Sequence, residues 1–234
     1  MFLDFDGTLA EIAPRPDLVS VAPRLPGLLR TVWLRQDGAL AIITGRRLED
    51  VDAFLAPLQL PGAGLHGVQL RLAPHGEIQE RQVPAVARIV HALRQRYGAD
   101  PELMIEDKGA TVALHFRAAP GRGSECEQAL RELAEPAGLE LIHGKMVVEA
   151  RPHGANKAQA LRELRAHAPF AGRAPVFVGD DATDEPAFAV AQLAGGLGVK
   201  VGEGPTAARH RVGGVAQVQA WLRAAVAEQA ETTA

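Results

Sequence analysis

The sequence predicts an α/β fold, a doubly wound, mostly parallel sheet core that carries an inserted α+β lid domain. Three observations predict it. Short apolar runs alternate with helical patterns at both ends of the chain, and the middle switches to strands paired across tight turns. A length of 234 residues at 47% apolar content suffices for one substantial core with a smaller insertion. The expected catalytic core is residues 1–78 and 152–234, with 79–151 as the lid.

The first element is a short strand from Phe2 to Phe5. Leu25, Leu28, Leu29 and Val32 then fall on one helical face, and Leu40-Ala41-Ile42-Ile43 is a second buried strand. Leu48, Val51, Phe54 and Leu55 give another amphipathic helix. After about Leu72 the strands come in antiparallel hairpins. Leu103 to Glu106 and Thr111 to Phe116 flank Asp107-Lys108-Gly109, and Leu139 to Ile142 and Met146 to Glu149 flank His143-Gly144-Lys145. A helical pattern precedes each hairpin, about Val83 to Tyr97 and Glu125 to Ala137, so a small open-faced sheet with helices on one side is expected. From Pro152 the βα alternation returns, with a helix from about Asn156 to Ala168, the strand Val176-Phe177-Val178, a helix after Asp184, and the strand Gly198-Val199-Lys200-Val201. The tail after Glu228 is small and polar and is expected to fray. Only three residues precede Asp4, which makes the central strand unusually short at its beginning; the expectation is a trimmed start or a protein that begins upstream.

Composition narrows the function. A formal net charge of -3 gives no basic footprint, which argues against nucleic acid as a partner and leaves small anionic ligands open. No apolar run reaches membrane-spanning length, so no membrane association is expected. The single cysteine, Cys126, cannot form a disulfide within the chain and reads as a plain helix residue; the cytoplasm is the expected compartment and a monomer the expected state. All but four of the 25 basic residues are Arg, the exceptions being Lys108, Lys145, Lys157 and Lys200. Such a chain reserves Lys for places where a compact point charge matters.

In an open α/β sheet, ligands bind beyond the carboxyl ends of the strands. Asp4-Phe5-Asp6-Gly7-Thr8-Leu9 puts two carboxylates on one face of a strand end, a repulsion that a cation or a proton must offset. That pair suits phosphoryl transfer, one carboxylate attacking phosphorus and the other donating a proton to the leaving oxygen. The bland alternative is an Asx-type turn closing a strand. Thr44-Gly45-Arg46, at a second strand-to-helix junction, offers a hydroxyl and backbone amides to a phosphate, although Thr is also an ordinary N-cap. Gly179-Asp180-Asp181-Ala182-Thr183-Asp184-Glu185 gathers four acids within six residues after a β-branched strand, a density that needs a counter-charge and suits a hard cation such as Mg2+. Glu185 is explained by the positive end of the following helix; Asp180 is not. Lys157 opens a helix at the end where the dipole disfavours a cation, so an anionic group is expected opposite it.

In that order these four strings resemble the motifs of the haloacid dehalogenase superfamily of phosphatases. Within it, Gly-Asp-Asp-Ala-Thr-Asp-Glu, Leu65-His66-Gly67 and Lys145-Met146-Val147-Val148-Glu149-Ala150-Arg151-Pro152 are similar to strings of the trehalose-6-phosphate phosphatase family, and the resemblance runs from Leu3 to about Val212. It implies Asp4 as nucleophile, Asp6 as general acid and base, and Thr44 and Lys157 as phosphate holders. By the same carry-over Mg2+ is held by the Asp4 carboxylate, the Asp6 backbone carbonyl and Asp180, with Asp184 and its neighbour Asp181 steadying the cluster. Gly45, Arg46 and His66 join the substrate-binding set, and Lys108, Lys145 and Glu149 are expected against the sugar hydroxyls, the alternative being that the hairpin residues only decorate a sheet face. Glu106, His115 and Arg117 are lesser candidates, read as structural along with the imidazole of His66. A trehalose-phosphate synthase is implied as a functional partner. One departure is Ala158, which stands where the family commonly has Gly after the Lys. Two other readings stay open on the sequence: a phosphatase of the same superfamily for another sugar phosphate, such as sucrose phosphate or a mannosyl phosphoglycerate, and a catalytically silent domain that binds sugar phosphate or a protein.

Overall fold

The computed structural model describes residues 1–231. The chain divides into two compact units, Met1–Gln79 together with the chain from Asn156 onward, and Glu80–Ala155. Among the described residues no helix is long and apolar enough to cross a membrane.

The first unit is built on a sheet whose strands are β1 (Phe2–Leu3), β2 (Ala41–Ile43), β3 (Gly62–Gly64), β4 (Gln69–Arg71), β5 (Gln79–Glu80), β10 (Val176–Gly179), β11 (Leu197–Val201) and β12 (His210–Val212). Their order is β12-β11-β10-β1-β2-β3-β4-β5. All pairs from β12 to β3 are parallel, and β3 with β4 is antiparallel. The expected doubly wound, mostly parallel core is therefore present, and the antiparallel turn comes earlier than Leu72. Its helices are α1 (Leu25–Arg35), α2 (Leu48–Leu55), α5 (Lys157–Arg165), α6 (Glu185–Leu193) and α7 (Val215–Glu231).

Period-two alternation sends successive strand residues to opposite faces. Leu3, Leu40, Ile42, Val178 and Val199 pack with Leu25, Leu29, Val51, Leu55, Val218 and Leu222, so α1, α2 and α7 cover one face. Phe2, Ala41, Ile43 and Phe177 pack with Leu161, Leu164, Ala187 and Phe188, so α5 and α6 cover the other. Burying each of these Leu, Ile, Val and Phe side chains contributes about 1.5–3 kcal/mol, which is why these strands read as unbroken apolar runs.

Some elements have weak sequence signals. β3 is Gly-Ala-Gly and is a strand through its pairing with β2 and β4; its glycines stand where the neighbours leave no room for side chains, since a Cβ on Gly62 would lie 2.5 Å from the Ile42 carbonyl oxygen and one on Gly64 would lie 2.6 Å from Gln69 Oε1. The short β1 gains one further rung, Asp4 N donating to the Val178 carbonyl at 2.9 Å. Helix α7 runs to Glu231, so the first part of the tail after Glu228, expected to fray, is helical; the rest of that tail, residues 232–234, lies outside the described residues.

The second unit is a four-stranded antiparallel sheet of order β6-β7-β9-β8, from β6 (Met104–Asp107), β7 (Val112–His115), β8 (Leu139–Gly144) and β9 (Val147–Pro152). Helices α3 (Ala85–Tyr97) and α4 (Gly123–Ala134) share one core with Val112, Leu114, Val148 and Ala150. The alternation leaves Glu106, His115, Glu149 and Arg151 on the opposite, polar face. One turn differs from expectation. Gly144 pairs with Val147, so the strand runs through His143 and Gly144 and the turn is Lys145-Met146, with Met146 at φ 62°.

Candidate active site

The ends of β1 and β10 and the first residue of α5 bring three distant segments to one point. Lys157 Nζ lies 2.8 Å from Asp4 Oδ1 and 2.7 Å from Asp184 Oδ1. All three side chains are buried. The other Asp184 oxygen accepts the backbone amides of Asp180 at 3.0 Å and Asp181 at 2.9 Å. Asp181 caps the short turn that follows, accepting from Thr183 N. The helix that Lys157 opens is capped by Asn156, whose side chain accepts from Gln159 N, and the unfavourable position of the ammonium on the helix dipole is offset by Asp4 and Asp184.

Charge in this cluster is unevenly shared. Burial works against the Lys157 ammonium, but Asp184 and Asp4 outweigh it and hold the group above the usual lysine range. Burial pushes the Asp4 carboxyl well above the ordinary carboxylate range, and Asp184 and Asp180 add to the push against the pull of Lys157. Asp184 is raised as well, chiefly by burial and against Lys157. One lysine is too little positive charge for the carboxylates around it.

That surplus is the first sign that the donor set fits a divalent cation. Asp4, Asp180 and Asp184 each present an oxygen, and these atoms lie within 4.8 Å of one another. Hard carboxylate oxygens are what such ions prefer. The second sign is room made for a carboxylate: Gly7 sits at φ +74°, and a Cβ there would lie 2.2 Å from Asp180 Oδ2. Gly179 does the same for Asp184, whose Cγ would be 2.3 Å from an added Cβ.

Asp6 turns elsewhere. Both of its oxygens are held by Arg46, whose guanidinium also donates to the Pro16 carbonyl at 3.1 Å and lies 5.9 and 5.3 Å from the Phe5 and Phe54 ring centroids. Arg46 N donates to Thr44 Oγ1 at 3.1 Å, so Thr44 caps the turn after β2. His66, at φ 56°, is buried with its ring against Gly45: a Cβ on Gly45 would lie 2.7 Å from Nε2. Its backbone amide donates to the Thr44 carbonyl at 3.0 Å. The Asp6–Arg46 pair had no signal in residue spacing, because the two come from different loops.

In the second unit the polar face gathers its own cluster. Lys108 Nζ lies 2.8 Å from Glu149 Oε2 and 3.9 Å from Glu106 Oε2, and the latter oxygen is 2.8 Å from His115 Nε2. Burial alone would raise the Glu106 carboxyl, but His115 and Lys108 bring it below its ordinary range. Lys145 occupies the exposed β8–β9 turn, its carbonyl accepting from Arg117 Nη2 at 2.9 Å.

The family described as trehalose-phosphatase matches residues 2–214. A trehalose-6-phosphate phosphatase of Escherichia coli K12 is 41% identical over 231 residues, covering 94% of this chain and 84% of that protein. A crystal structure of a trehalose-6-phosphate phosphatase related protein superposes with TM-score 0.84 at 29% identity, covering 99% and 98% of the two chains. A phosphatase of the haloalkanoate (HAD) superfamily from Bacteroides thetaiotaomicron shares the fold at TM-score 0.64 and 18% identity, over 95% and 92% of the chains.

Proposed function

Since the chain belongs to the trehalose-phosphatase family, we infer that it hydrolyses trehalose 6-phosphate to trehalose and phosphate through a phosphorylated aspartate. The observation that carries the reading is the Lys157 ammonium set between the buried carboxylates of Asp4 and Asp184, with Asp180 beside them.

We propose magnesium as the ion, held by Asp4, Asp180 and the Asp6 backbone carbonyl. Bound there, it neutralises charge on the phosphoryl oxygens. Lys157 supplies a second, permanent positive charge beside Asp4, and Thr44 with the backbone after β2 holds the phosphate. Asp4 Oδ attacks phosphorus in line, and the bond to the sugar oxygen breaks as Asp6 gives that oxygen a proton. Asp6 then takes a proton from water, the water oxygen attacks phosphorus, and phosphate leaves with Asp4 restored. Protonation turns one Asp6 oxygen into a donor and removes the carboxylate charge, so the two-bond grip of Arg46 loosens when Asp6 carries the proton.

The segment 79–151 is proposed as the lid, and Lys108, Glu149 and Lys145 as the side chains that read the sugar, since a lysine and a glutamate together offer donors and acceptors to hydroxyl groups. Gly45, Arg46 and His66 are proposed on the phosphate side. The proposed functional partner is a synthase that makes the phosphorylated disaccharide, and the proposed compartment is the cytoplasm.

The test is phosphate release from trehalose 6-phosphate, sucrose 6-phosphate and glucose 6-phosphate, with magnesium and with chelator. Turnover confined to trehalose 6-phosphate and abolished by chelator supports the reading. Equal turnover of sucrose 6-phosphate would reassign the substrate, and tight binding without release in magnesium would make the chain a binding module.

A further inference from the structure

Lys200 has no part in the chemistry above, yet it is buried at the edge of the same loop. It stands opposite Gly179 in the parallel β10–β11 register, the last rung before β10 opens into the acidic turn. Its Nζ donates to the Asp180 carbonyl at 2.5 Å and to the Val201 carbonyl at 2.9 Å. Only 5% of the residue is exposed, and among the described residues no carboxylate lies within 4.0 Å of the ammonium.

A lysine buried against two neutral carbonyls is an expensive arrangement. Removing an ammonium from water costs several kcal/mol after relaxation, and carbonyl dipoles return only part of it. A backbone group at the end of a sheet could be satisfied by water or by a neutral donor at far smaller cost. The nearby loop carries Asp180, Asp181 and Asp184, with Asp4 beside them, so the buried positive charge lies next to a surplus of carboxylates. The carbonyl it holds belongs to Asp180, whose carboxylate fills the notch left by Gly7.

We propose that Lys200 is a positioning residue for the divalent-cation site: it clamps the Asp180 backbone where the β10 ladder ends, aims the Asp180 carboxylate toward Asp4, and tempers the mutual repulsion of the acidic loop. The proposal rests on the magnesium-dependent reading given above. It also explains why an arginine-rich chain keeps a lysine in a buried strand: a compact ammonium fits between two carbonyls, and a planar fork does not.

The test uses the full chain with Lys200→Met, which removes donor and charge at similar volume, and Lys200→Gln, which keeps a donor and removes the charge. Magnesium affinity is read by calorimetry without substrate, fold by circular dichroism, and turnover of trehalose 6-phosphate at saturating magnesium. The expected result is a folded Lys200→Met with magnesium bound about 10- to 100-fold more weakly, as for other groups that orient metal ligands. The KM for the sugar phosphate at saturating magnesium stays within about twofold of the parent, because the clamp touches no substrate group. Unchanged magnesium affinity in either folded variant overturns the proposal. Failure of both variants to fold, with or without magnesium, assigns Lys200 to general stability and overturns it too. A parent chain that binds no magnesium would instead overturn the underlying metal reading, which keeps the two failures apart.

Discussion

The Arg46 guanidinium grips both oxygens of Asp6, Nε at 2.7 Å from Oδ2 and Nη2 at 2.8 Å from Oδ1. This fork fixes where the carboxyl points, and the Phe5 and Phe54 rings beside the guanidinium restrict Arg46 in turn. If Asp6 is the acid and base of the reaction, Arg46 acts through it. Asp6→Asn is expected to lower kcat about 10²- to 10⁴-fold, and Arg46→Met to lower it less. The double variant is expected to be no worse than Asp6→Asn alone, because two residues acting through one group are not additive. Phosphate-release kinetics on the four proteins check this, and additive losses would separate Arg46 from Asp6.

Lys157 is the only cation in direct contact with Asp4 and Asp184 among the described residues. Lys157→Met leaves two buried carboxylates facing each other without it. Such a removal costs about 3–5 kcal/mol, read as a fall in unfolding free energy in urea with chelator present. Magnesium is expected to restore part of the loss by binding the folded state alone. A loss below about 1 kcal/mol would place the pair with weak surface bridges.

The raised carboxyls of Asp4 and Asp184 give the site a definite pH signature. Folded, they keep protons that the unfolded chain releases near pH 4, so their contribution to stability is fully present below that range and is lost as pH rises through their folded values. Magnesium needs the same oxygens ionised, so its binding expels protons and strengthens with pH. The rise in melting temperature on replacing chelator by magnesium is therefore expected to grow from pH 5 to pH 8. Carboxyls that are lowered, such as Glu49 and Glu106, pull stability the other way as pH falls, but equally in both samples. A metal-induced shift that is flat or shrinking with pH would contradict the raised carboxyls of Asp4 and Asp184.

Much of this was legible in the chain because the parallel strands are buried on both faces and three site segments, at Asp4, Thr44 and Asp180, directly follow apolar runs. Lys157 follows none; its helix-opening position called for an anion opposite it, and the family resemblance put it with Asp4 and Asp180. β3 could not be read, since its glycines are chosen by the closeness of Ile42, Gln69 and Leu48 and carry no strand preference of their own. The β8–β9 turn was misplaced by His143-Gly144, whose turn-like composition is overridden by pairing with Val148 and Val147. Arg46 and Lys200 share a different difficulty: each acts on a group brought beside it by folding, Asp6 from another loop and the Asp180 carbonyl from the neighbouring strand. The scarcity of lysine pointed toward Lys200 without revealing its partner.

Gly7 offers the sharpest test of how the carboxylates are fitted together. It combines a left-handed backbone, φ +74°, with a Cβ position only 2.2 Å from Asp180 Oδ2. Gly7→Ala must therefore bear backbone strain of about 1–2 kcal/mol and also displace a carboxylate. Gly172 has nearly the same backbone, φ +76°, with nothing within 4 Å of an added Cβ. Gly172→Ala carries the strain alone. Gly7→Ala is therefore expected to lose more stability in chelator than Gly172→Ala, and only Gly7→Ala binds magnesium more weakly, by about 10-fold or more, because Asp180 is pushed off its line toward Asp4. Equal magnesium affinity in the two proteins, measured by calorimetry, would mean that Asp180 does not need the notch that Gly7 leaves for it.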